Sequence, residues 1–142
     1  TMTWVHLREK ATGKEFYYFN THLDHVSEEA RIKGIGVVLD KIAQFGSLPA
    51  MIMGDFNVEE DTETYRSATE NFLDVKYQTK DPIKSCTYQN WGKRLDDDCI
   101  DYIMISKTGF RVNSYNVVRT TYDGVYPSDH FPITASLTLT QG

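Results

Sequence analysis

Cysteine, proline and basic charge are all scarce in this chain, and long apolar runs are missing. Its two cysteines, Cys86 and Cys99, form neither a CxxC pair nor any zinc spacing, which excludes a disulfide-dense scaffold and a zinc ribbon. Two readings of them stay open: one disulfide joining two hairpin-like segments in an oxidising compartment, or, preferred here, two buried thiols. With four prolines, no repeats and no low-complexity tracts over 142 residues, there is no candidate linker, and the length suits one domain with a sizeable core. No stretch approaches the roughly 20 apolar residues of a membrane-crossing helix. Lysine and arginine total 15 against 20 aspartates and glutamates, a net charge of −5. The basic stripe of a phosphate-gripping nucleic-acid binder is therefore absent. The triplet Asp96-Asp97-Asp98 repels a polyanion unless cations intervene. Nucleic acid is disfavoured as a partner, though not removed. A serine hydrolase ranks low too, because no Gly-x-Ser-x-Gly elbow occurs.

What is present is globular in kind: 40% of residues are hydrophobic and 13% aromatic, against disorder. Met2–Leu7 and Glu15–Asn20 read as strands joined by the polar turn Lys10-Ala11-Thr12-Gly13-Lys14. Ser27 offers a helix N-cap with Glu28 and Glu29 in the first turn, and Ile32, Ile35, Leu39 and Ile42 follow at helical spacing until Gly46. Ala50–Met53 is a buried strand, Glu59–Thr69 a short helix capped near Asp61, and Asn71–Val75 a link. Ser85–Asn90, Cys99–Ser106, Phe110–Arg119 and Phe131–Thr140 then read as successive antiparallel strands. The fold class is α/β, or α+β in layers. The start, Thr1-Met2-Thr3-Trp4-Val5, already reads as strand with no signal sequence before it, and resembles a cut inside a larger domain; no compartment follows.

Chemistry gathers at strand ends. Asn20-Thr21-His22-Leu23-Asp24 closes the second strand, Gly54-Asp55-Phe56-Asn57 follows the buried one, Ile100-Asp101-Tyr102-Ile103 opens a later one, and Ser128-Asp129-His130-Phe131-Pro132 precedes the last. Such ends, in loops on a rigid scaffold, are where layered α/β proteins place ligands. Cleaving a phosphoester requires a polarised water, shielding of the phosphate oxygens and stabilisation of the leaving oxygen. Asp55 can accept a proton from water. Asn57 can donate to a phosphate oxygen or offer its carbonyl to a metal, and period-two alternation puts it on the same side as Asp55. His22 and His130 can donate protons near neutrality, and Asp101 is the natural partner for one of them. Each residue alone has a blander reading, as a turn cap or structural histidine. Asp101 resists it most, because a buried, unpartnered carboxylate costs several kcal/mol by rough estimate.

Thr21-His22-Leu23, Gly54-Asp55-Phe56-Asn57, Ile100-Asp101-Tyr102-Ile103 and Ser128-Asp129-His130, in that order, resemble the endonuclease/exonuclease/phosphatase superfamily of metal-dependent phosphoesterases. The resemblance implies a deoxyribonuclease I-like, four-layer β-sandwich flanked by helices, of which residues 1–142 supply only the carboxyl-terminal half. It implies that His22 contacts the scissile phosphate or acts as an acid on the leaving side. By the same resemblance Asp55 orients or deprotonates water, and Asn57 holds a phosphate oxygen or a metal. His130 contacts phosphate with its ring fixed by Asp101, and Asp129 sits at or near the metal. The ion implied is Mg2+, with Mn2+ or Ca2+ as alternatives. Family members also use a strand-borne Asn and a Glu that is the chief metal ligand, both from an amino-terminal half that this chain does not contain. That missing half is an expected partner, and the isolated fragment is expected to be inactive. Arg31 is a candidate for a substrate phosphate or for a salt bridge with Glu28, and His25 is read as structural. Tyr88, Trp91 and Tyr126 either stack on a base or sugar or cover a sheet edge. The competing function is a non-catalytic binding or scaffold domain of the same fold.

Overall fold

A computed structural model describes residues 1–83, 85–96 and 99–140. Its elements run β1 (Met2–Arg8), β2 (Glu15–His22), α1 (Glu28–Ala43), β3 (Ala50–Asp55), α2 (Glu63–Asn71), β4 (Phe72–Asp74), a 3-10 turn (Val75–Gln78), β5 (Asp101–Ser106), β6 (Phe110–Val117) and β7 (Ile133–Leu139). Five strands form one mixed sheet in the order β1-β2-β3-β5-β4, and β6 and β7 form a separate antiparallel pair.

Burial explains this layering. The sequence of β5 alternates on a buried surface: Tyr102 and Met104 enter the cluster beneath the helices with Phe19, Ile35, Val38, Ile52, Phe56 and Ala68. Ile103 and Ile105 enter the opposite cluster with Tyr115, Val117 and Phe131. A strand buried on both faces loses its polar alternation, which is why Ile103 to Ile105 reads as an unbroken apolar run. The result is three layers: helices, the five-stranded sheet and the β6–β7 pair. Helix α1 starts where its cap dictates, with Ser27 Oγ accepting from Ala30 N at 3.2 Å.

Helix α2 is capped by Thr62, beside Asp61 as expected, with Thr62 Oγ1 accepting from Tyr65 N. Two details after helix α2 differ from the sequence reading. The segment after it is not a mere link, because Phe72–Asp74 pairs along β5 as the sheet edge. Ser85–Asn90 is not a strand: a lone bridge joins Tyr88 to His130. Ladder growth ends because Asn90, Trp91 and Gly92 follow one another in the left-handed region, at φ 48°, 57° and 81°. Cys86 and Cys99 are buried thiols, as preferred above, and burial pushes the Cys99 thiol up to about 12. Of the acidic triplet, Asp97 and Asp98 lie outside the described residues, and Asp96 pairs with Arg94.

Candidate active site

Strand register assembles the site. Parallel pairing of β2 with β3 sets His22 opposite Asp55, and antiparallel pairing of β3 with β5 sets Asp55 opposite Asp101. Residues in register on neighbouring strands project to the same face, so three segments distant in sequence form one row at a sheet end. Gly54 makes the row fit. At φ 145° it lies where L side chains are strained, and an added Cβ would stand 1.8 Å from the Thr21 carbonyl oxygen. Only glycine lets β3 approach β2 so closely beside Asp55.

His130 completes the row from the loop before β7. Its Nδ1 lies 2.8 Å from Asp101 Oδ2, and its Nε2 lies 3.9 Å from Asp55 Oδ2. His22 Nε2 approaches the same Asp55 oxygen at 3.5 Å. Asp55 and Asp101 are largely covered, with side-chain exposures of 16% and 18%, whereas His22 is 67% exposed. Burial, followed by the negative charge of Asp101, raises Asp55 above the ordinary carboxylate range. Burial pulls the other way on His130, but the hydrogen bond and charge of Asp101, joined by Asp55 and Asp129, outweigh it and raise the imidazole.

Asn57 behaves differently from the extended-loop expectation. It sits at φ 53°, a left-handed conformation that asparagine tolerates. Its N–H donates to Asp55 Oδ1 at 2.8 Å and its Nδ2 donates to the Leu23 carbonyl at 3.1 Å. The Asx turn that was the bland reading of Asp-Phe-Asn is therefore present, and it fixes Asp55 within the row. Asp129 stands next to the row through its backbone, with its carbonyl accepting from Gln89 N and Asn90 N at 2.8 and 3.1 Å. Arg31 forms no ion pair with Glu28 among the described residues. It donates from Nη1 to the Asp24 carbonyl at 3.2 Å and lines a neighbouring cleft with Asn57 and Tyr88.

Two positioning residues escaped the sequence reading. Thr87 is fully buried. Its Oγ1 accepts from Ile100 N and Asp101 N at 3.0 and 3.1 Å, and its carbonyl accepts from Phe131 N at 2.6 Å. It thus ties the backbone at Asp101 to the backbone beside His130. Gln89, also fully buried, donates from Nε2 to the Ser128 carbonyl and holds the Asp129 loop. Their irregular segment carries no motif, and the partners that tie them to the site, Ile100, Asp101, Ser128 and Phe131, lie over ten residues away in sequence, so no local signal marked them. Tyr88 was noted as a stacking candidate; its ring tilts against His130 with centroids 5.1 Å apart.

One ligand atom from each of Asp55, Asp101 and His130 lies within 4.8 Å of the others. Two carboxylates and an imidazole, partly buried, are a donor set that could hold a divalent cation.

Known proteins share this arrangement of strands. Human Nocturnin is 26% identical over 152 residues, an alignment covering 93% of this chain and 35% of Nocturnin. A Bacteroides vulgatus endonuclease/exonuclease/phosphatase structure is 32% identical with a TM-score of 0.86, over 97% of this chain and 55% of that one. A mannosyl-6-phosphatase from Bacteroides thetaiotaomicron is 29% identical with a TM-score of 0.81, over 97% of this chain and 57% of that one. The chain thus spans about a third of the curated relative's length and just over half of these solved structures. Residues 2–130 match the model of the Endonuclease/Exonuclease/phosphatase family. With that match over most of its length and its fold shared with solved members, the chain belongs to the endonuclease/exonuclease/phosphatase family.

Proposed function

We propose that the complete protein hydrolyses a phosphoester by direct attack of water, and that this chain supplies one side of the centre. The observation that carries the reading is the register row His22–Asp55–Asp101 with His130 hydrogen-bonded onto it. A carboxylate raised by burial and a like charge is a better proton acceptor than a free aspartate, so Asp55 takes the water's proton. His130, raised by its carboxylate neighbours, holds its proton near neutrality and presents Nε2 to a phosphoryl oxygen. Asp101 fixes the ring by accepting from Nδ1. Exposed His22 serves the leaving oxygen. Asn57 and Arg31 bind substrate oxygens.

Asp55, with Asp101 and His130 in the same cluster and Asn57 and Asp129 beside it in sequence, would hold a divalent ion. Mg2+ is favoured, with Mn2+ or Ca2+ as alternatives. When bound, the ion offsets charge on the phosphate and polarises water. The remaining site residues come from an amino-terminal half of the domain, for which the chain's coverage of just over half of solved relatives leaves room. The isolated 142-residue chain is therefore inactive in this reading.

The test is hydrolysis of bis(p-nitrophenyl) phosphate and of an aryl phosphate monoester by the intact protein with Mg2+. Replacing Asp55 or His130 by Ala is expected to lower kcat/KM on the turned-over substrate about 10²-fold or more. Near-normal turnover by both variants contradicts the role assignment. Absence of turnover together with calorimetry showing no divalent-ion binding returns the scaffold reading.

A further inference from the structure

Beside the reaction centre lies a cleft of about 410 Å³, lined by Arg31, Asn57, Glu59, Thr62, Tyr88 and Arg94 among others. Its volume is in the range of small-ligand pockets. Two of its walls are shared with the centre: Asn57, bonded to Asp55, and Tyr88, packed against His130.

The cations in this cleft are not equivalent. Arg94 is already matched by Asp96 and, at 3.8 Å, by Glu59, the carboxylate of the same cleft. Arg31 is matched by no carboxylate within ion-pair distance among the described residues. Among the described residues its one hydrogen bond runs from Nη1 to a carbonyl, and its buried Nε meets no acceptor there. A guanidinium grips an oxyanion through its N–H donors, and with Nε covered by protein the donors of Arg31 left for one are those of its Nη groups. In a chain of net charge −5, such a cation beside a phosphoester centre is a selective feature.

We infer that this cleft is a second-anion subsite: the substrate carries, across a sugar-sized spacer from its scissile phosphoester, another phosphate held by Arg31. The spacer ring packs along Tyr88, whose opposite neighbour is His130. This rests on the reading of Arg31 as a substrate-binding residue of the proposed phosphoesterase site, and narrows that substrate to one bearing two anionic groups.

The experiment is equilibrium binding to the intact protein, at fixed salt and without turnover, of a nucleoside 3′,5′-bisphosphate and the matching 5′-monophosphate. The bisphosphate is expected to bind about tenfold tighter or more. In Arg31→Met the affinity ratio should fall to about one. In Arg31→Lys, which keeps the charge and loses the planar fork, it should take an intermediate value. A wild-type ratio near one overturns the proposal. So does a preference that survives Arg31→Met, since it then reflects total charge. If Arg31→Met fails to fold by thermal melting, Arg31→Lys decides, and an unchanged ratio there overturns the proposal. The parent reading fails separately: a protein that keeps the binding preference but hydrolyses no phosphoester has the subsite without the chemistry.

Discussion

At the scale of single residues, the site's chemistry depends on three side chains that perturb one another. Asp101 is the hinge of the set, because its charge raises both neighbours: His130 through a 2.8 Å hydrogen bond and Asp55 through repulsion. In the intact metal-free protein, the His130 ring followed by NMR is expected to titrate above the ordinary value of about 6.5. Replacing Asp101 with Asn removes the charge while leaving an acceptor, so that midpoint should move to lower pH. A midpoint that stays put or rises contradicts the pairing. Most of this was legible in sequence, because Gly54-Asp55-Phe56-Asn57 and Ser128-Asp129-His130 are compact motifs. Asn57 was legible as a site residue but not in its conformation, since a left-handed φ is decided by the turn that Asp55 caps.

Elements were legible wherever periodicity was strong. The β1–β2 hairpin, α1 with its Ser27 cap, β3 and the alternation of β5 all follow from local pattern. The segment from Ser85 to Asn90 misled because its β-branched and aromatic content resembles a strand, whereas its role is to clamp two others. Thr87 supplies that clamp with one hydroxyl and one carbonyl. Thr87→Val keeps the volume but leaves the Ile100 and Asp101 N–H groups without their acceptor. A loss of about 1–3 kcal/mol in stability is expected from denaturant unfolding, together with a fall in kcat for the intact protein. Thr87→Ser, which restores the hydroxyl, should recover most of both. If Thr87→Val matches the wild type in kcat, the clamp has no bearing on the site.

For the whole molecule, the layers are unequal. Among the described residues only β6 and β7 stand behind the five-stranded sheet, and between them and β1–β3 lies a largely apolar cleft of about 480 Å³, lined by Leu7, Phe16, Met51, Met53, Phe110 and Leu137 among others. Val5 and Leu7 on β1 are 42% and 41% exposed, a large value for the apolar residues of a sheet flank. We assign this face to the missing amino-terminal half proposed above. The 142-residue chain expressed alone should bind a hydrophobic dye and self-associate in sedimentation, and co-expression with the remaining half should abolish both. A monomeric, dye-silent fragment contradicts that assignment. In sequence this face carries no mark of its own, because an exposed apolar strand face looks identical in sequence to a buried one.

The central claim is that residues from separate strands act as one hydrolytic unit, and the most direct test is a double-mutant cycle on kcat/KM for Asp55 and His130 in the intact protein. Groups that act together give losses that do not add. The account predicts that the Asp55→Asn/His130→Ala double variant is hardly worse than the poorer single variant. Fold-losses that multiply through the double variant would show two independent residues and contradict it.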